Sequence, residues 1–150
     1  MKKILFATIV VLSAAAFLAV PEVQAQAPAK AAVKAESSWM TDFAAAQKMA
    51  KETGKPMLVD FTGSDWCPWC IRLNDEVFAK KAFQDYAKEN LILVKIDFPR
   101  RTKLPATLVK QNEALAEKYG IEGFPTVLLI NGEGKVIGKT GYRQGGADGY

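Results

Sequence analysis

The two cysteines of this 150-residue chain stand three positions apart, in the stretch Trp66-Cys67-Pro68-Trp69-Cys70. Thiols with this spacing can close a small disulfide ring and reopen it, and a Cys-x-x-Cys pair beside a β-α-β pattern indicates redox chemistry. A bridge across so short a loop adds little stability, because the entropic gain of a disulfide grows with loop length. We therefore expect Cys67 and Cys70 to form a redox-active disulfide.

Cys67 is expected to be the attacking cysteine, because it stands where a helix N-cap would stand. Pro68 follows at the first helical position, where proline is favoured. Free N–H groups and the positive end of the helix dipole then favour the thiolate at Cys67, and the thiolate is the attacking species in disulfide exchange. Cys70, one turn further along, is expected to be more buried and to resolve the mixed disulfide.

Asp60 is an ionisable residue inside an apolar, strand-like run, seven positions before Cys67. Burial would raise the pKa of its carboxyl group, which would let it relay a proton to or from Cys70. A solvent-facing Asp60 is the alternative. Lys95, on the strand expected to lie beside it, is a candidate charge partner.

Aromatic residues and prolines close to the thiols are candidates for substrate binding. Trp66, Pro68 and Trp69 could offer an apolar surface to a polypeptide, although core packing is also credible for Trp66. Pro125 follows Phe124 at the start of a strand, where proline cannot donate to the ladder. This indicates a cis bond or an edge left open for another chain; an ordinary trans proline is the alternative.

Composition excludes several other functions. Histidine is absent, which excludes His-based metal sites and Ser-His or Cys-His catalysis. Structural zinc takes about four ligands, so we expect no metal, and a two-thiolate Cu(I) site is the non-enzymatic alternative. No nucleotide- or flavin-binding motif indicates a cofactor. The net charge of +4 is spread along the chain, and the densest cluster, residues 100–103, is expected to be a solvated loop and not a nucleic-acid site.

The N-terminal pattern predicts export. Residues 1–25 combine a positive start, an apolar run and a small-residue cleavage site, as in a secretory signal peptide. Residues 26–38 are rich in Ala, Lys and Pro and predict a flexible tether. We expect one domain over residues 39–150 and a periplasmic or secreted location; a retained membrane anchor is the alternative.

Hydrophobic periodicity predicts the elements of this domain. A helix is expected from Trp39 to Gly54, capped by Ser38 or Thr41, and helices are also expected from about 68, over about 80–89 and from 108 to Gly120. Strands are expected at 57–62, 91–97, 124–130 and 135–141, with a turn at 131–134. Helices between buried strands indicate an α/β sandwich with a parallel core and a closing antiparallel hairpin.

Three motifs, in this order, resemble the thioredoxin-fold family. They are Val59-Asp60-Phe61, Trp66 to Cys70, and the Y-G-I-x-G-F-P-T stretch from Tyr119 to Thr126. The run F-T-G-S-D-W-C-x-W-C is similar to exported members of the thiol:disulfide interchange branch. The resemblance implies a thioredoxin-like sandwich with a mixed central sheet flanked by helices, in which the final helix is missing or cut off after Tyr150.

The resemblance also implies roles for single residues. Pro125 would be a cis proline that faces the disulfide and helps to dock substrate strands, with the backbone of Phe124 as a contact. Asp60 would be the buried proton relay. Departures from cytosolic members are a longer loop before the thiols, Pro68-Trp69 between them, and Ile71 in place of a basic residue.

Together these features predict an exported thiol-disulfide oxidoreductase. We expect it to reduce protein disulfides, because no histidine is present to stabilise the thiolate as in strong oxidants. An oxidase or isomerase of the same fold and the Cu(I)-binding module are the alternatives. The expected partners are substrate proteins with disulfides and an electron-donating redox protein, for which a membrane protein is one option; no nucleic acid is expected, and the protein is expected to be a monomer.

Overall fold

The computed structural model describes residues 39–150, so the predicted signal peptide and tether lie outside the described residues. The helices are α1 (Phe43–Thr53), α2 (Pro68–Leu73), α3 (Lys81–Asn90) and α4 (Ala106–Lys118). The strands are β1 (Met57–Thr62), β2 (Ile92–Asp97), β3 (Thr126–Ile130) and β4 (Val136–Thr140). One turn of π-helix, Asn74–Phe78, extends α2, and a short 3-10 helix, Ala147–Gly149, follows β4.

The four strands form one mixed sheet in the order β2-β1-β3-β4. Strands β1 and β2 are parallel, whereas β3 runs antiparallel to both β1 and β4. The mixed sheet is as predicted, but the expected parallel core is wrong for β3. The connection from β2 through α4 sets the direction in which β3 enters the sheet. Local periodicity does not reveal the path of that connection.

The first helix begins later than its sequence pattern predicted. Met40 forms a bridge opposite Val94 at the outer edge of β2: its N–H donates to the carbonyl oxygen of Leu93 (N···O 2.9 Å), and its carbonyl oxygen accepts the N–H of Lys95 (2.8 Å). The N-cap is Asp42, whose carboxylate accepts the N–H of Ala45, so the expected caps Ser38 and Thr41 are wrong. Gly54 ends the helix at a φ of 72°, a left-handed conformation that glycine adopts without a Cβ penalty.

The sheet is covered on both faces, which explains why all six residues of β1 are buried. One face packs Phe61 and its neighbours against α1 and α4. The other face packs Leu58 against Leu73, Val77 and Phe78 of the helical segment that begins at Pro68. The helix that carries the cysteines is therefore fixed on the sheet through its apolar side. Among residues 39–150, no helix is long and apolar enough to span a membrane.

Candidate redox site

Cys67 occupies the junction between the loop after β1 and the first turn of α2. It is the N-cap residue, and its sulfur accepts the N–H of Cys70 at 3.3 Å. Pro68 takes the first helical position, where its missing N–H removes no intrahelical bond. Both features agree with the sequence prediction. Donation to the sulfur and the positive helix end both stabilise negative charge there.

Cys70 forms a disulfide with Cys67, across a Cα–Cα distance of 5.3 Å. The Sγ atom of Cys70 also receives the N–H of Gly63 at 3.5 Å. Each of the two cysteines is only 4% exposed. The expectation that Cys70 is the more buried of the two is therefore wrong, because the loop around Phe124 covers Cys67 from the other side.

The Phe124–Pro125 peptide bond is cis, one of the options that the sequence left open. The carbonyl oxygen of Phe124 lies 3.7 Å from the sulfur of Cys67. The Phe124 ring meets the Trp66 ring edge-on, at a centroid distance of 6.1 Å. Tertiary packing thus brings Trp66, Phe124 and Pro125 to Cys67, although 57 positions separate Cys67 from Phe124 in the sequence.

Asp60 is buried, with 4% of its surface exposed, and its Oδ1 atom has no hydrogen-bond partner in the described part of the chain. Desolvation by burial raises the pKa of its carboxyl group from 3.8 to about 7; Lys95 lowers the pKa and Asp97 raises it. The sequence prediction of a buried Asp60 is confirmed. Near neutral pH, both protonation states are populated, as a proton relay requires.

A small cavity of about 150 Å³ connects the neighbourhood of Asp60 with Cys70. Lys95 and Asn74 also line it. Lys95 lies opposite Asp60 in the register of β1 and β2, as expected. Its ammonium group is nevertheless 5.6 Å from the ring of Trp39 and makes no ion pair with Asp60 within 4.0 Å. Lys95 therefore acts on Asp60 through its electric field.

Trp66 is half-buried against the backbone of the loop that precedes the cysteines. Its indole N–H donates to the carbonyl oxygen of Phe98 at 2.8 Å. A Cβ atom at Gly63 would come within 2.5 Å of the indole ring, so a glycine is required for this ring position. Trp66 thus packs against the loop and also lies beside Cys67. The sequence had left core packing and a surface position near the thiols as alternatives for this residue.

Asp65 is a site residue that sequence reasoning missed. Its carboxylate accepts three consecutive backbone N–H groups, from Arg100, Arg101 and Thr102, at 2.9, 2.9 and 3.0 Å. The bond from Arg100 is the largest of the effects that lower the pKa of Asp65. The position of an aspartate just before Trp66 could have suggested a loop contact, but its three partners lie 35, 36 and 37 residues away.

Tyr142, which follows β4, is a second residue that the sequence did not reveal. Its ring lies 5.2 Å from the ring of Trp69, and its hydroxyl donates to Glu76 at 2.7 Å. Arg72 pairs with the same carboxylate and lies over both rings. Trp69 remains 51% exposed, as predicted, and Pro68 beside it is exposed as well.

Cys67 and Cys70 are the only cysteines of the chain, and a disulfide joins them. Among residues 39–150, no group of three or more cysteine, aspartate or glutamate side chains is arranged to hold a metal ion. The disulfide, the helix N-terminus and the adjacent buried acid are together suited to thiol exchange, in which charge on one sulfur must be stabilised and a proton moved at the other.

Comparisons with known proteins agree with this geometry. The family model of thioredoxin-like domains matches residues 43–146. A curated relative, disulfide bond reductase DsbH of Chlamydia pneumoniae, is 35% identical over 108 residues, which cover 72% of this chain and 65% of that protein. The chain therefore spans slightly less than two thirds of that relative's length.

Solved structures give the same result. A structure titled DsbH oxidoreductase is 32% identical, with a TM-score of 0.74 over 88% of this chain and 89% of that one. A disulphide isomerase from Xylella fastidiosa Temecula1 is 28% identical, with a TM-score of 0.51 over 65% and 69% of the two chains. The predicted thioredoxin-like sandwich is confirmed.

Proposed function

The chain belongs to the thioredoxin-like family, and from that premise we propose that it is an exported thiol-disulfide oxidoreductase that reduces disulfides in other proteins through Cys67 and Cys70. The observation that carries the proposal is the position of the Cys67 sulfur. It caps a helix, receives the N–H of Cys70 and lies 3.7 Å from the carbonyl oxygen of Phe124. This combination supports a nucleophilic sulfur beside a backbone acceptor that an incoming chain can use.

The first step is attack by the Cys67 thiolate on one sulfur of a substrate disulfide. A mixed disulfide forms between Cys67 and that sulfur, and the other substrate sulfur leaves as a thiolate. The helix N-terminus supports this step, because it stabilises the thiolate before the attack. Trp66, Phe124 and Pro125 surround the point of attack, and Pro68 and Trp69 form its exposed side, so we assign substrate contact to all five.

The second step is resolution by Cys70. Its thiol loses a proton and attacks the sulfur of Cys67, which releases the substrate as a second thiolate and regenerates the Cys67–Cys70 disulfide. Asp60 is the proposed proton acceptor, because it lines the same cavity as Cys70 and its pKa is about 7. Two electrons pass to the substrate, and a reduced redox partner must return them.

A trapping experiment tests the proposed activity. Cys70→Ser should leave Cys67 able to attack but unable to release its substrate, so mixed disulfides should accumulate and disappear on addition of dithiothreitol. The matched control is Cys67→Ser, which should trap nothing. Equal trapping by both variants, or none by Cys70→Ser, would contradict the assigned roles. A Cu(I) module would instead lose bound copper in both variants without forming adducts.

The reductive direction needs a separate measurement. The name of the DsbH relative, disulfide bond reductase, supports it, whereas the likeness to a disulphide isomerase supports the alternative within the same fold. Equilibration with glutathione should give a reduction potential nearer to about −270 mV than to about −120 mV, the values typical of thioredoxin and of a strong oxidant. A potential at the oxidising end would favour the oxidase.

Export and partner choice complete the proposal. The signal-like N-terminus supports a periplasmic or secreted location, where substrates with disulfides are available. The electron donor is then a redox partner of that compartment, with a membrane protein as one candidate, and the domain acts as a monomer. Sedimentation of the purified protein would test the monomer directly.

A further inference from the structure

A loop rich in cations is fixed against the redox site. We name residues 98–103 the basic loop; it contains Arg100, Arg101 and Lys103. The carboxylate of Asp65 binds its backbone through three N–H groups, and the indole of Trp66 donates to its first carbonyl oxygen. Because both anchors belong to the segment that precedes Cys67, the loop keeps a fixed position relative to the thiols.

Contacts between side chains continue from the loop to the sulfur. The guanidinium of Arg100 lies 3.6 Å from the centroid of the Trp66 ring. The ring of Phe98 lies 5.1 Å from that of Phe124, whose carbonyl oxygen is 3.7 Å from the sulfur of Cys67. The basic loop is therefore one side of the surface that an incoming polypeptide must meet.

The charges of the loop are available to a partner. The side chains of Arg100, Arg101 and Lys103 are exposed, and among residues 39–150 none of the three has a carboxylate within 4.0 Å. The acids close by, Asp65 and Asp97, are less exposed than the three cations: Asp65 accepts three backbone N–H groups, and both oxygens of Asp97 accept hydrogen bonds from Ser64. Glu113 of α4 is the remaining carboxylate that lines the adjoining groove.

That groove, of about 440 Å³, lies between the basic loop and α4. Its walls combine apolar surface from Phe98, Leu104 and Val109 with the cations of Arg100 and Lys103 and the carboxylates of Asp97 and Glu113. A groove of this kind can take a short extended segment, because apolar walls give contact area and the charged rim gives selectivity.

We propose that the basic loop is a docking surface for acidic polypeptide segments, so that Cys67 prefers disulfides flanked by aspartate or glutamate. The proposal rests on the proposed function and names its substrate class. Complementary charge at the edge of an interface acts mainly on the rate of association and is weakened by salt. The preference should therefore be largest at low ionic strength.

The test uses the full chain with the Cys70→Ser change and three peptides of equal length. Each peptide carries one cysteine in a disulfide with nitrothiobenzoate, flanked by Asp, by Gln or by Lys. Attack by Cys67 forms the Cys67–peptide disulfide and releases coloured nitrothiobenzoate, so the rate is read directly. We expect the Asp peptide to react about threefold to tenfold faster than the Lys peptide at low salt, and the ratio to fall as salt is added.

Arg101→Gln with Lys103→Gln should bring this ratio close to one. The matched control, Lys51→Gln with Lys135→Gln, removes the same charge near the β3–β4 turn, at the other end of β1, and should keep the ratio. Using a ratio removes any general change in the reactivity of Cys67. An unchanged ratio in the loop variant, or an equal fall in the control, would overturn the proposal.

A second readout separates docking from catalysis. Fluorescence anisotropy measures binding of the same peptides, with serine in place of cysteine, to the oxidised protein without any exchange. If the Asp peptide binds most tightly in the anisotropy measurement but no peptide reacts with Cys67, the result contradicts the proposed function and still supports the docking surface. If all three peptides bind equally and the protein binds phosphatidylglycerol vesicles through the basic loop, the loop is a lipid-facing surface and the proposal is overturned.

Discussion

Replacement of Asp60 by asparagine should make the stability of the protein less dependent on pH. The pKa of the carboxyl group is about 7 in the folded protein and 3.8 in the unfolded reference. The folded state therefore binds this proton more tightly. The stabilisation from protonated Asp60 is complete below about pH 3.8 and is lost as the pH rises through 7.

The size of the effect follows from these two pKa values. At about 1.4 kcal/mol per pH unit, the interval corresponds to about 4 kcal/mol, as an order of magnitude. Asp60→Asn cannot ionise, so its free energy of unfolding relative to the wild type should rise by up to about 4 kcal/mol between pH 4 and pH 8. The unpartnered Oδ1 atom supports this direction, since no hydrogen bond offsets the buried charge.

Urea unfolding of the oxidised proteins at several pH values measures this difference. The matched control is Asp85→Asn, which changes an exposed carboxylate on α3 and should give a difference that is flat with pH. If the difference between Asp60→Asn and the wild type stays within about 0.5 kcal/mol over the whole range, burial does not shift this group and the reasoning is refuted.

Three further predictions concern Trp66, Tyr142 and the N-terminus. Gly63→Ala should displace the indole of Trp66, lower the free energy of unfolding by about 1–3 kcal/mol and shift tryptophan fluorescence; an unchanged spectrum would contradict the close packing. Tyr142→Phe should lower the free energy of unfolding, measured by urea unfolding, because it removes the hydrogen bond to Glu76, and equal stability of wild type and Tyr142→Phe would argue against that bond. Tyr142→Ala should also alter the environment of Trp69. Mass spectrometry of protein exported by a bacterium should find an N-terminus within about two residues of Ala25, and an intact N-terminus would contradict export by cleavage.

Local sequence determined the features that depend on adjacent residues, such as a helix start, or on the spacing of apolar residues along a strand or helix. Proline after Cys67 predicted the helix start and the N-cap sulfur, because a helix N-terminus is built from adjacent residues. The apolar runs predicted β1, β2 and β3 to within about two residues, since buried strands lose their polar alternation. The burial of Asp60 followed from its place inside such a run.

Tertiary structure decided the features that join distant segments. The antiparallel direction of β3, the partners of Asp65 and the stacking of Arg100 on Trp66 depend on connections of 30 residues or more, and local periodicity holds no information about them. The pKa of Asp60 likewise needed the packing of α2 over β1, because desolvation depends on what covers the carboxyl group. The sequence therefore determined the cysteine pair and the buried acid, and only the fold placed the charged loop and the aromatic rings around them.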